Sequence, residues 1–247
     1  MREMKNVLPA IDALHSLGQI AERGNVDATS GVRPAGWGDE VSGLIDVDGE
    51  VICRADLWSL AGEYKAGKVD VLRLFWTTMA WGGLARGRTR VIASVMTDPA
   101  ESAKLLSRAA ELSWNGHIRE AHVAMLHRLS GLGPAFFTKF LWITGDPDSR
   151  EPRCLILDDR TTVGYFVATN KPPLNGEKAG DYERYCVDVH SWAHGLGVTP
   201  DAVEAGLFNL GKQVGSIADW AMRLASGSKD VGLDIADVVR GVFHEER

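Results

Sequence analysis

The sequence predicts an all-α protein, because apolar residues recur every three or four positions along most of its 247 residues. Two runs also begin with helix start signals, since Asp98-Pro99 and Thr199-Pro200 each supply an N-cap residue and a first-turn proline. Short β-type runs lie in a region rich in glycine and aspartate, at residues 25–53. The predicted helices are 3–23, 54–65, 69–82, 99–113, 117–129, 134–143, 159–168, 179–196, 200–209, 213–225 and 232–243.

The chain divides into an N-terminal extension and a helical core. Residues 3–23 predict an amphipathic helix, and residues 25–53 predict a loop or a small hairpin. We therefore expect residues 1–53 to be an extension of a core that covers residues 54–247. Within the core, residues 169–180 predict an irregular connection between two helices.

Composition excludes several classes of protein. The fraction of hydrophobic residues is 45%, which is typical of a globular chain with a sizeable core. Cys53, Cys154 and Cys186 are far apart and have no spacing typical of metal ligands or a disulfide framework, so we expect reduced thiols and no metal site. No apolar run is long enough to span a bilayer, and the first residues lack a signal-peptide core. We expect a cytoplasmic protein.

The net charge of −6 argues against a generally basic surface, although a local basic patch is enough to bind phosphates. One such cluster is LARGRTRVI, in which Arg86, Arg88 and Arg90 alternate and would share one side of an extended segment. The cluster predicts either a solvated loop or a phosphate contact.

Residues 117–143 predict two helices joined by a tight turn, Ser-Gly-Leu-Gly, with Pro134 opening the second helix. Gly131 and Gly133 can adopt positive φ and allow a close backbone approach, and proline suits the first turn of a helix. Amides near the glycines and the positive end of the helix dipole could then bind a phosphate oxygen. An ordinary αα-hairpin uses glycine in the same way, so both interpretations stay open.

Further along the chain, the apolar run CLIL brings Asp158 to the start of another helix. The hairpin LSGLGP at residues 129–134, followed by Ile-Leu-Asp at residues 156–158, resembles the helix–hairpin–helix DNA glycosylases. The resemblance is strongest to the bacterial and archaeal branch with an 8-oxoguanine-glycosylase fold, and it covers residues 117–168. It implies an all-α fold with two helical subdomains flanking a cleft. It also implies double-stranded DNA with a modified base as partner, without a cofactor or an obligatory protein partner.

The resemblance assigns catalysis to an aspartate within residues 154–168, at the entry of the predicted helix 159–168. Breaking an N-glycosidic bond develops positive charge on the sugar, which a fixed carboxylate stabilises. The register of the family pattern favours Asp158 over its neighbour Asp159. Either carboxylate could instead act as a helix N-cap, and one residue can have both roles.

Family members with lyase activity also use a lysine that forms a Schiff base with the sugar. In the familiar pattern this lysine lies two residues after the second glycine, where the present chain has Ala135. Lys139 lies one helical turn further on, within the apolar run AFFTKFLWI, and a flexible stem could span that turn. Lys139 is therefore the candidate nucleophile. The alternative is a lysine that extends to solvent or binds a DNA phosphate.

A glycosylase must also hold the extruded base, by stacking and by hydrogen bonds to its edge. Trp76 and Trp81, in the run LFWTTMAWGG, are candidates for the pocket or the wedge, and Asp188 is a candidate acceptor for the base. His190 and His194 are four residues apart, which predicts a polar face that lines the pocket or touches the DNA backbone, rather than a metal pair. The residues assigned to DNA backbone contact are Gly131, Gly133, Pro134 and Arg160.

The sequence leaves the function open between two classes. The first is a DNA glycosylase for an oxidised base such as 8-oxoguanine, with or without AP-lyase activity. Such an enzyme would act in DNA repair, or on modified phage DNA in defence. The second is a non-catalytic protein that keeps the hairpin for DNA binding, which Ala135 and the acidic net charge favour. In either class we expect a cytoplasmic protein that associates with the nucleoid when bound to DNA.

Overall fold

The computed structural model describes residues 34–45, 51–85, 87–169 and 174–214, and every regular element in these ranges is helical. The predicted all-α class is therefore confirmed. No helix in these ranges is long and apolar enough to cross a membrane. A 3-10 turn, Pro34–Trp37, is followed by α1 (Asp39–Ser42), α2 (Arg54–Lys65), α3 (Val71–Trp81), α4 (Arg88–Thr97), α5 (Pro99–Trp114), α6 (Ile118–Met125), α7 (Pro134–Thr144), α8 (Asp159–Thr169), α9 (Ala179–Leu196) and α10 (Pro200–Val214).

The basic segment is a helix rather than an extended run. Gly87 begins α4 with φ 79°, and Val91 and Val95, one turn apart, are buried. Because consecutive residues of a helix point about 100° apart, Arg88 and Arg90 do not share the single face expected of an extended segment. Arg86 lies outside the described residues.

The boundaries of other elements differ from the predicted ones where tertiary contacts override the local sequence pattern. Residues 34–45 contain the 3-10 turn and α1 instead of a hairpin, and α6 ends at Met125 instead of residue 129. Helix α10 continues to Val214, past the break predicted after residue 209. The predicted helices 3–23 and 232–243, and almost all of 213–225, lie outside the described residues.

The described residues fall into two compact units, and each is considered by itself. The first, the hairpin unit, contains the described residues from 34 to 157 together with 176–187. The second, the α8–α10 unit, contains those from 158 to 175 together with 188–214. The division of the chain at residue 53 stays a prediction.

Helix α7 is the centre of the hairpin unit. Every residue from Phe137 to Thr144 is buried, and α7 contacts α2, α3, α5 and α6. A helix that is apolar on all sides is stable only when it is surrounded by other elements, which is the case here.

Trp142 of α7 is the core of an aromatic cluster, which we call the tryptophan cluster. Trp81 stacks on its ring at 5.5 Å between centroids, and Trp58 meets it edge-on at 5.0 Å. The Arg54 guanidinium lies 4.9 Å from the centroid of Trp142, and that of Arg153 lies 5.7 Å from Trp58. These ring and cation–π contacts join α2, α3 and α7 to the segment that follows α7.

That segment, residues 153–157, is buried and has no regular secondary structure. Buried backbone groups must find hydrogen bonds, and here side chains from α9 supply them. The Tyr182 hydroxyl donates to the carbonyl of Leu155, and the Tyr185 hydroxyl donates to that of Ile156, each at 2.8 Å. The path of the chain toward Asp158 is thereby held in place.

In the α8–α10 unit, two helices are in backbone contact. A Cβ atom added to Gly164 of α8 would lie 1.9 Å from the carbonyl oxygen of Leu207 in α10. A Cβ atom on Gly211 of α10 would lie 1.9 Å from the carbonyl oxygen of Arg160. Side chains at these positions would force the helices apart.

We expect Gly164→Ala to lower the free energy of unfolding by about 3 kcal/mol, since a clash with backbone cannot be relieved by a rotamer change. Urea denaturation followed by circular dichroism measures the change. Gly62→Ala in α2 is the matched control, because a Cβ there meets no atom within 4 Å. Equal midpoints for Gly164→Ala and the wild type would contradict the close packing of α8 on α10.

Candidate functional site

The turn between α6 and α7 is longer than predicted and includes residues 126–133. Helix α6 ends because Leu126 is extended and His127 has φ 58°. Gly131 has the expected positive φ, 86°. Gly133 does not, since its φ of −84° and ψ of 171° are extended. Of the two glycines that can adopt positive φ, only Gly131 therefore does so.

Gly131 lets the turn pack directly on the start of α4. A Cβ atom at Gly131 would lie 2.9 Å from the Cβ of Arg90 and 3.0 Å from the carbonyl oxygen of Gly87. The amide of Ser130 also donates to the Ser94 hydroxyl at 3.1 Å. The basic helix α4 is thus attached to the hairpin turn.

Gly133 has a different environment. A Cβ atom there would meet nothing within 4 Å, and the residue borders a shallow cavity of about 600 Å³ lined by Ser94 and residues 127–133. Gly133 is the N-cap of α7 without a side-chain cap, and Pro134 follows as the first helical residue. Open space over an uncapped helix start is suited to an anion.

His122 of α6 is a buried residue that sequence analysis did not single out. Its Nε2 lies 2.8 Å from the carbonyl oxygen of Gly176, and its Nδ1 has no hydrogen-bond partner among the described residues. Nε2 therefore donates, because a carbonyl oxygen can only accept, and burial lowers the pKa of the imidazole. A Cβ at Gly176 would lie 3.1 Å from the Cβ of Pro134, so Gly176 packs against the start of α7. The hydrogen bond from His122 holds Gly176 in this position.

Lys139 is buried in α7, with 9% of its surface exposed. Its side chain folds back along the helix, and Nζ donates a hydrogen bond of 2.7 Å to the carbonyl oxygen of Ala135. Nζ also lies 5.3 Å from the centroid of the Phe136 ring. The amine of Lys139 is therefore at the level of Ala135, where the resembled pattern has its lysine.

Thr138, the neighbour of Lys139, holds the chain just before Asp158. Its hydroxyl accepts a hydrogen bond of 3.1 Å from the amide of Leu157 and donates one of 2.8 Å to the carbonyl oxygen of Pro134. Sequence reasoning missed this residue, because a threonine inside an apolar helix carries no signal for a contact nineteen residues away.

Asp158 has a fixed carboxylate. Its Oδ1 accepts hydrogen bonds from the Thr161 hydroxyl at 2.7 Å, the Thr161 amide at 3.0 Å and the Arg160 amide at 3.1 Å. Its own amide donates to the Thr161 hydroxyl at 3.0 Å. Asp158 is half-buried, whereas Asp159 is exposed as the first residue of α8. Asp158 is thus a helix N-cap, the simpler of the two roles predicted for it.

The two predicted pocket tryptophans differ in location. Trp76 is fully buried, with its ring 4.9 Å from Phe75 and 6.1 Å from Trp37, which favours a packing role. Trp81 lies at the end of α3 in the tryptophan cluster and is 8% exposed. Neither indole N–H has a hydrogen-bond partner among the described residues.

The remaining predicted residues lie in the α8–α10 unit. The Tyr165 hydroxyl donates to the Asp188 carboxylate, and Trp192 stacks on the Tyr165 ring at 5.6 Å. His190 is half-buried in α9, and Arg160 is exposed in the first turn of α8. Contacts of these residues with DNA stay predictions. In the described parts of the chain, no three His, Cys, Asp or Glu side chains are grouped closely enough to hold a metal ion.

Comparison with known proteins identifies the family. A family model described as "Putative 8-oxoguanine DNA glycosylase OGG-like protein" matches residues 24–208, which is more than half of the chain. No curated protein and no solved structure matches the chain. The matched residues include the hairpin, Lys139 and Asp158, and the all-helical structure agrees with the helix–hairpin–helix glycosylase fold. The chain therefore belongs to the OGG-like family of DNA glycosylases.

Proposed function

We propose that this protein removes an oxidised or otherwise modified base from double-stranded DNA, with an 8-oxoguanine-like lesion as the favoured substrate. Membership of the family supports the class of reaction. The observation that carries the assignment to residues is the Asp158 carboxylate, held at the entry of α8 by three hydrogen bonds to one oxygen.

Asp158 stabilises the sugar as the base departs. The electrons of the C1′–N bond leave with the base, so positive charge develops on the deoxyribose ring, and a nearby carboxylate offsets it. A carboxylate that is already oriented does not have to reorganise during the reaction, which makes its charge more effective. The exposed Asp159 lacks this fixed orientation and is the weaker candidate.

Lys139 supplies the nucleophile for a coupled lyase reaction. After the Lys139 ammonium has given a proton to water, the lone pair of its amine forms a bond to C1′ as the bond to the base breaks, and the base takes a proton from water. The new ammonium group loses a proton, the sugar C1′–O4′ bond opens, and O4′ is protonated, which leaves a Schiff base. The position of Nζ beside Ala135 supports this assignment, because it compensates for the absence of a lysine at residue 135.

The hairpin supplies the backbone contact. Gly133 and the start of α7 bind a DNA phosphate in the open cavity over the turn, and Gly131 sets the shape of the turn. Ala135 favours one alternative, a non-catalytic protein that uses the same hairpin only to bind DNA.

The direct test incubates the purified protein with duplexes that each carry one modified base, 8-oxoguanine first, and with modified phage DNA. Released base is measured by mass spectrometry, and borohydride is added to trap a Schiff base. We expect base release from at least one substrate. Binding to DNA without release of a base from any substrate would favour the non-catalytic alternative. Release of a base from phage DNA alone would indicate that the substrate is a modified phage base and not an oxidised base.

We expect Asp158→Asn to reduce base release by about 100-fold or more while DNA affinity changes little, because the substitution removes the charge and keeps the shape. Single-turnover release and fluorescence anisotropy measure the two quantities. Asp159→Asn is the matched control and should retain activity. Equal rates for Asp158→Asn and the wild type would reject Asp158 as the catalytic carboxylate.

We expect Lys139→Gln to abolish the borohydride-trapped adduct and strand cleavage, because the amide has no nucleophilic lone pair. Gel analysis of the covalent complex and of nicked DNA measures both. Lys104→Gln, at an exposed lysine of α5, is the control and should leave adduct formation intact. Unchanged nicking by Lys139→Gln would exclude Lys139 as the nucleophile, and weaker DNA binding alone would indicate a phosphate contact.

We expect Gly133→Val to weaken binding to all DNA sequences alike, by about tenfold, since the added side chain fills the space that a phosphate would use. Folding should be largely preserved because φ at Gly133 is −84° and the space is empty. Anisotropy titrations with two unrelated duplexes test this, with melting curves as the folding control. A loss confined to one duplex would point to base readout instead.

A further inference from the structure

Two adjacent glycines end helix α3, and only one is required by the backbone. Gly83 has φ 68°, and the amide of Leu84 reaches back to the carbonyl of Met79, which is the usual left-handed termination of a helix. Gly82 has φ −68° and ψ −5°, values that any residue can adopt. The backbone conformation at residue 82 therefore does not require a glycine.

The surroundings of Gly82 supply a steric reason. A Cβ atom at residue 82 would lie 2.8 Å from Cδ and 3.4 Å from Cε of Lys139, and 3.3 Å from the carbonyl oxygen of Thr78. Real Cβ atoms are not found as close as the first of these distances. The stem of Lys139 thus occupies the space that a side chain at residue 82 would need.

The same stem determines where the amine lies. Cδ is two bonds from Nζ, so a shift of Cδ is passed on to the amine. Nζ in turn donates a hydrogen bond of 2.7 Å to the carbonyl oxygen of Ala135 and lies 5.3 Å from the Phe136 ring. Any residue larger than glycine at 82 would push the stem away from α3 and weaken these contacts.

We propose that Gly82 is a positioning residue for Lys139: the missing side chain lets the lysine fold back so that its amine reaches Ala135. This inference rests on the proposed function of Lys139 as nucleophile. Displacement of a reacting group by about 1 Å can cost on the order of 100-fold in rate. Lys139 lies one turn later than the family pattern requires. Gly82, at the end of α3, compensates for this by leaving room for the lysine to fold back.

The first test measures the position of the lysine without any activity. Brief acetylation with acetic anhydride, followed by mass spectrometry of peptides, gives the labelling rate of Lys139 relative to the exposed Lys104. We expect slow labelling in the wild type and several-fold faster labelling in Gly82→Ala. Gly62→Ala, where a Cβ meets no atom, is the matched control and should label as the wild type does. Equal rates in Gly82→Ala and the wild type would overturn the inference.

The second test separates a specific clash from a general loss of stability. We expect Gly82→Ala to change Tm less favourably in the wild-type background than in a Lys139→Ala background, where the clashing stem is gone, by about 2 °C or more. If Gly82→Ala alone fails to fold, recovery of folding in the double variant supports the inference. An equal change in Tm in both backgrounds contradicts it.

The third test connects the position to the chemistry. With a substrate that gives a trapped adduct, Gly82→Ala should form the adduct about 100-fold more slowly while DNA affinity is unchanged. If the wild type gives no adduct or Lys139→Gln still gives one, the proposed role of Lys139 fails, and acetylation still decides whether Gly82 places the amine. If Lys139→Gln abolishes the adduct and Gly82→Ala forms it at the wild-type rate, only the inference about Gly82 fails.

Discussion

The burial of helix α7 is the constraint on which the hairpin unit depends. All residues from Phe137 to Thr144 are enclosed, so α2, α3, α5 and α6 must each present a surface that fits one side of the helix. Polar groups inside such a helix need partners close at hand. Lys139 finds one in the carbonyl oxygen of Ala135, and Thr138 finds one in that of Pro134. Packing thus decides where the candidate nucleophile lies.

Helix α7 also makes a hydrogen bond to the segment that leads to the candidate carboxylate. The irregular segment at residues 153–157 is buried, and its backbone is hydrogen-bonded by the hydroxyls of Tyr182, Tyr185 and Thr138. Thr138 of the same helix holds the amide of Leu157, the last residue of this segment. Asp158 then depends on Thr161 and on the amides of α8 for its orientation. Each candidate group is supported by neighbours that do not themselves react.

Glycine is used for different physical reasons around these groups. Gly131 combines a left-handed backbone with direct packing on α4, whereas Gly164 allows two helices to meet backbone to backbone. Gly133 borders empty space, which is the property expected of a surface that receives a phosphate. Gly82 leaves room for a lysine stem. Identical residues in the sequence therefore have different surroundings, and these support the structural roles of Gly131 and Gly164 and the roles proposed for Gly133 and Gly82.

The sequence by itself determined the all-α class, the bounds of α2 and α9, and the family resemblance, because helical periodicity and short motifs depend on nearby residues. Tertiary structure decided the rest. Whether Gly133 is extended, whether Trp76 is buried, and which atoms surround Lys139 depend on residues far away in the chain. The contact between Gly82 and Lys139 joins two helices through the packing around α7. Local patterns do not encode such distances, since they arise only when separate elements pack together.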